Sequence, residues 1–86
     1  MPQYHYTAVF EPVEEGGFTV TVPALPGLVT EGDTFEKAHA MVIDAIRGYL
    51  EALNKSGEEI PLEHGEPITQ RVAVNVATVP RAIILL

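Results

Sequence analysis

The stretch Pro23-Ala24-Leu25-Pro26-Gly27-Leu28-Val29-Thr30-Glu31-Gly32-Asp33-Thr34-Phe35-Glu36-Lys37-Ala38 decides how this chain folds. Pro23 lacks an amide hydrogen, so it stops a strand arriving from its N-terminal side. Pro26-Gly27 reads as a type II turn, with proline setting φ at the first central position and glycine accepting positive φ at the second. Leu28-Val29-Thr30-Glu31 is long enough for one short strand, which Gly32-Asp33 breaks. Thr34 is the natural N-cap of a helix, its hydroxyl accepting from a free amide of the first turn. Asp33, with Glu36 three residues on, is an alternative cap. The segment therefore contains a strand end, a turn, a strand and a helix start in sixteen residues.

Upstream lie two more strands. Tyr4-His5-Tyr6-Thr7-Ala8-Val9-Phe10 is rich in β-formers, and places Tyr4, Tyr6, Ala8 and Phe10 on one face. It stops at Glu11-Pro12, and Glu14-Glu15-Gly16-Gly17 supplies a hairpin turn. Phe18-Thr19-Val20-Thr21-Val22 alternates, with Phe18, Val20 and Val22 expected in the core. Downstream, the apolar positions from Phe35 onward are Ala38, Met41, Val42, Ala45, Ile46, Tyr49, Leu50 and Leu53. Steps of three and one make a single stripe on a helix, which Ser56-Gly57 ends. Residues 58–67 are polar and carry two prolines, as a surface connection does. Arg71-Val72-Ala73-Val74-Asn75-Val76 alternates again and is expected to form a strand. Ala82-Ile83-Ile84-Leu85-Leu86 is either a last strand on the core or a subunit interface. The expected fold is α+β: a three-stranded antiparallel meander, one long amphipathic helix, then a further strand. Residues 1–86 form one domain.

Composition narrows the function. With no cysteine there is no disulfide framework, thiol nucleophile or thiolate zinc site. A small secreted domain usually needs such staples, so a cytoplasmic home is expected. Met1–His5 has no basic patch followed by an apolar run, so no signal peptide is expected, and no apolar run reaches the roughly 18 residues of a membrane span. Net charge is −7, and residues 1–36 hold six acids with no Lys or Arg. Nucleic-acid binders cluster Lys and Arg, which this chain does not do. A basic protein partner would be steered to it instead, although such acids also serve solubility alone.

Catalytic patterns fail one by one. A two-metal nuclease needs converging carboxylates, whereas Asp44 and Glu51 sit on the polar side of the helix and the strands contribute no matching acids. His5, His39 and His64 fall on a strand, a helix and a loop, without ligand spacing. Ser56 is the only serine, and it stands at a helix end. Tyr4, Tyr6 and Phe10 have the look of a base-stacking platform, but no basic residue precedes Lys37, and core packing accounts for them better. No catalytic residue, metal site or cofactor is expected.

The run from Gly17 to Ala38 resembles the HicB-like antitoxin family. Its pattern there is an aromatic strand, P-D-L-P-G-C, T-x-G-D-T, then E-A opening a helix. Pro23, Leu25, Pro26, Gly27, Thr30, Gly32, Asp33, Thr34 and Ala38 fit it, as do the first strand and Ile60-Pro61 after the helix. Three positions depart: Ala24 stands at the usual Asp, Leu28 at the usual Cys, and Lys37 where Glu often completes the capping box. The resemblance implies a β-β-β-α-β fold like a degraded ribonuclease H core. It implies a non-catalytic domain that sequesters a small, basic, mRNA-cleaving HicA-like toxin. Direct DNA binding, which many members owe to a further domain, is not expected. The expected partner-binding residues are Glu14, Glu15, Glu31 and Asp33, while Pro23, Pro26, Gly27, Gly32 and Thr34 are expected to be structural. A homo-oligomer is expected. The alternatives are an orphan oligomeric module without a toxin and a residual ribonuclease H-like nuclease.

Overall fold

A computed structural model of the chain describes residues 2–78. Three antiparallel strands, β1 (Val9–Pro12), β2 (Phe18–Thr21) and β3 (Val29–Gly32), lie side by side in chain order. One helix, α1 (Phe35–Lys55), follows and packs against β3 and β2. The α+β class and the meander agree with expectation.

The register explains why the strands are short. Val9 faces Thr21 and Pro12 faces Phe18. Continued upstream, that register sets Ala8 opposite Val22 and Thr7 opposite Pro23. Proline has no amide to donate, and the ladder starts only at Val9. Tyr4–Ala8, expected within the first strand, therefore has no ladder. Pro12 is tolerated because β1 is an edge strand. Beyond it, the Val13 amide donates to the Gly17 carbonyl at 3.1 Å, and both Gly16 and Gly17 have positive φ.

The segment 23–38 folds as its residues dictate. The Leu28 amide donates to the Leu25 carbonyl at 3.2 Å across Pro26-Gly27, with Gly27 at φ +85. Thr34 is the N-cap: its hydroxyl accepts from the Lys37 amide at 3.1 Å. At the far end the Gly57 amide donates to the Asn54 carbonyl and the Glu58 amide to the Leu53 carbonyl. With Gly57 at φ +72, this is a Schellman ending.

Val20, Val22, Leu25, Leu28, Ala38 and Val42 form the buried core, with Phe10, Phe18, Ala45, Ile46, Tyr49 and Leu50 packed around it. Three of the six come from the turn-and-cap segment itself. Tyr49 also donates to the Pro26 carbonyl at 3.0 Å, fastening the helix to the turn. One member of the expected helical stripe is misplaced: Met41 is 49% exposed. The narrow sheet ends before reaching it.

Residues 71–76, expected to form a strand, have no ladder among the described residues, and Val72, Val74 and Val76 are 73–78% exposed. The alternation is that of a strand, but a strand needs a neighbouring edge, and the segment lies against none. The apolar stretch 82–86 lies outside the described residues.

Candidate partner-binding surface

Because α1 covers one face of the sheet, the other face is open. Antiparallel register decides what stands on it, since directly paired residues share a face. Glu11 pairs with Thr19, and Thr19 with Glu31; Val9 pairs with Thr21, and Thr21 with Val29. The open face thus carries two cross-strand rows, Glu11-Thr19-Glu31 and Val9-Thr21-Val29. Val29 is 63% exposed.

The four acids singled out from sequence divide. Glu15, Glu31 and Asp33 line one shallow cleft of about 210 Å³ beside Gly16 and Gly32. Glu14 is exposed in the same hairpin turn but does not line that cleft. Glu31 and Asp33 also border a second, wider cleft with Lys37, Met41 and Asp44. Asp44 is paired with Arg47 at 3.0 Å, a mostly exposed contact of little energetic weight. The structural residues have clear tasks. Gly32 is the strictest, because a Cβ there would lie 2.3 Å from the Ala38 amide nitrogen. Its place opposite Phe18 and beneath the start of α1 admits no side chain.

Sequence reading missed Glu11, Val29, Met41 and Asp44 as members of this surface. Alternation points Glu31 away from the core, but only the hairpin register reveals Glu11 in its row. Met41 fits the apolar stripe by spacing and is exposed only because the sheet is narrow.

A second surface lies between the N-terminal segment and the helix. Tyr6, Ala8 and Phe10 on one side, and His39, Val42, Ile43 and Ile46 on the other, line an open groove of about 420 Å³ that also takes in Tyr4 and His5. Phe10 and Phe35 close one end with ring centroids 4.8 Å apart, and His39 stacks on Phe10 at 6.5 Å. Thus the fold brings His5 and His39, distant in sequence, to one groove. His64 lies elsewhere, beside Ile60 and Pro61. Among the described residues no three His, Asp or Glu side chains are grouped so as to hold a metal ion.

The loop after the helix is anchored to the N-terminal segment. Tyr6 donates its hydroxyl to the Pro61 carbonyl, and Thr7 donates its amide to the Glu63 carboxylate at 2.6 Å and its hydroxyl to the other carboxylate oxygen. These bonds hold the Glu63 carboxyl below its ordinary range, the Thr7 hydroxyl having the larger effect. Burial, then the neighbouring Tyr4 and Glu63, push the Tyr6 phenol upward, so it remains a donor at neutral pH.

Comparison with known proteins gives this geometry a family. The model of the HicB-like antitoxin of bacterial toxin-antitoxin systems matches residues 6–81. The chain belongs to the HicB-like antitoxin family. It is 44% identical over 64 residues to a UPF0150 protein of Thermoplasma acidophilum, covering 74% of this chain and 93% of that one. A second UPF0150 protein, from Synechocystis, is 37% identical over 60 residues, covering 70% and 76%. Antitoxin HicB 1 of Photorhabdus laumondii is 44% identical over 57 residues, 66% of this chain but 37% of its own length. This HicB-like chain therefore matches well under half of that antitoxin. Among the described residues no helix is long and apolar enough to cross a membrane.

Proposed function

We propose that this HicB-like chain is a non-catalytic binding domain that sequesters a small basic toxin of the mRNA-cleaving HicA-like kind. The observation that supports it best is the open sheet face, where Glu11 and Glu31 stand in one row beside a half-apolar one, with Glu15 and Asp33 at its end. Acids around an apolar strip suit a cationic protein surface: charge guides the approach, and the valines and threonines supply area once water leaves. Glu14 lies in the adjacent turn and contributes to the field. Neutralisation follows from occlusion: a toxin held by its basic RNA-binding surface cannot engage a phosphate backbone. Blocking of this kind needs no catalytic group. The same reading takes the domain to be cytoplasmic and self-associating, and its full form to be ribonuclease H-like, with residues 71–76 supplying the fourth strand.

The test is co-purification from native cells, with mass spectrometry to look for a small basic protein, followed by stopped-flow association with the protein recovered. E31K/D33K should slow association at least tenfold while leaving the far-UV spectrum unchanged. Unchanged association would remove this face from the interface. Recovery of self-copies alone would favour the second reading, an oligomeric module without a toxin, which the exposed valines 72, 74 and 76 support.

A further inference from the structure

We infer that residues 68–76 of one copy form a strand on a second copy, set beside its β1 with Val72, Val74 and Val76 entering the groove between β1 and α1. This rests on the self-association in the preceding reading and is independent of toxin binding.

Both halves of the contact are present on one chain. The first is a segment with strand alternation and no ladder among the described residues. Its Ile68 is 92% exposed, and Val72, Val74 and Val76 are 73–78% exposed. Lone exposed apolar residues are ordinary, but four in one nine-residue segment are not. The second half is an edge with no strand. β1 is the outer strand of the sheet, and beside it the groove exposes Ile43 at 44% and leaves Ile46 only partly buried. Three strands at roughly 4.8 Å spacing are narrow beneath a helix about 30 Å long. A fourth strand beside β1 covers what the three leave bare.

The second copy is the occupant the geometry favours. Tyr6 and Thr7 pin Pro61 and Glu63 at the N-terminal end of the chain's own β1 segment. Gly65, at φ +74, and Pro67 then redirect the chain, and it runs on clear of its own groove. Reciprocal exchange fills both grooves in one twofold assembly, leaving neither arm bare. The arm brings its own backbone donors and acceptors to the β1 edge, and alternate valines fill the groove, as in strand addition generally.

The native chain has no cysteine, which allows a direct test. V74C on one chain and I43C on another are mixed, equilibrated and treated with a short bismaleimide. A covalent V74C–I43C heterodimer is expected, along with a dimer mass by light scattering for the wild type. V74D lies on an exposed residue, so it should keep the far-UV spectrum but halve the mass. Cross-linking only within the V74C/I43C double variant, at monomer mass, would overturn the proposal by placing the arm in its own groove. Cross-linking of V74C chains to one another alone would overturn it in favour of arm against arm. A dimer that V74D leaves intact, without the heterodimer, would keep self-association and remove the exchanged strand. A monomeric wild type would remove both.

Discussion

At the scale of single residues, Gly32 and Gly48 make opposite predictions from the same substitution. Gly32 lies where β3 meets the start of α1, and a Cβ there would fall 2.3 Å from one backbone atom of Ala38 and 2.6 Å from another. Backbone cannot give way as a flexible side chain does. G32A should cost about 2 kcal/mol or more, lowering the melting temperature by about 10 °C at fixed protein concentration. Gly48 is inside α1, with nothing within 4 Å of its Cβ position. G48A should stabilise by up to about 1 kcal/mol through helix propensity alone. Thermal melts of the two variants side by side check both; a destabilising G48A would mean that the helix face at 48 is covered in solution. Gly17 is constrained for two reasons, φ +84 and a Cβ position 2.4 Å from the Gly32 carbonyl oxygen. The hairpin turn and the end of β3 are thus fitted to each other glycine against glycine.

At the scale of elements, the fold depends on how short segments are tied. Thr34 caps the start of α1 and Gly57 closes its end, while Tyr49 fastens the helix to the Pro26 carbonyl and the Tyr6 hydroxyl holds the following loop by its Pro61 carbonyl. The Thr7–Glu63 tether is the one that titrates. Glu63 is held below its ordinary value of 4.5. A carboxylate depressed in the folded chain stabilises it above the unfolded pKa, and that contribution is lost as pH falls through the folded value. The post-helix loop should therefore loosen as pH drops from about 4.5 downward, seen as faster amide exchange at Thr7 after correction for intrinsic rates. E63Q should remove this acid response, since an amide does not titrate there. An identical response in E63Q would assign it to another carboxyl. Loosening this loop should also change how the following arm leaves the body, because residues 61–63 set its point of departure.

At the scale of the whole molecule, the charge is asymmetric: residues 1–36 carry six acids and no Lys or Arg. These include the open-face and turn acids Glu11, Glu14, Glu15 and Glu31. Association with a basic partner should accelerate at low salt and slow by about tenfold or more when ionic strength rises from about 0.05 M to 0.5 M. Stopped-flow rates across that series check it. Dimerisation through apolar arm valines should instead change little with salt, so the two interfaces are separable by one variable. A salt-insensitive partner rate would mean that shape and apolar contact dominate there too.

What could be read from the chain alone was what neighbouring residues decide among themselves. Pro23, Pro26-Gly27 and Thr34 each act through local φ, missing donors or a cap hydroxyl within three residues, so the turn, short strand and helix start were legible before any contact was known. The alternation of Phe18–Val22 and the stripe of α1 were legible for the same reason, being periodic. The rows across the open face were not, because Glu11 meets Glu31's row only through two registers set by hairpin geometry. Met41 satisfied the helical spacing yet came out exposed, since spacing cannot report the width of the sheet beneath it. Residues 71–76 show the limit most plainly. Their alternation states that they suit a strand, but a strand is a relation between two edges, and alternation alone does not supply the second edge.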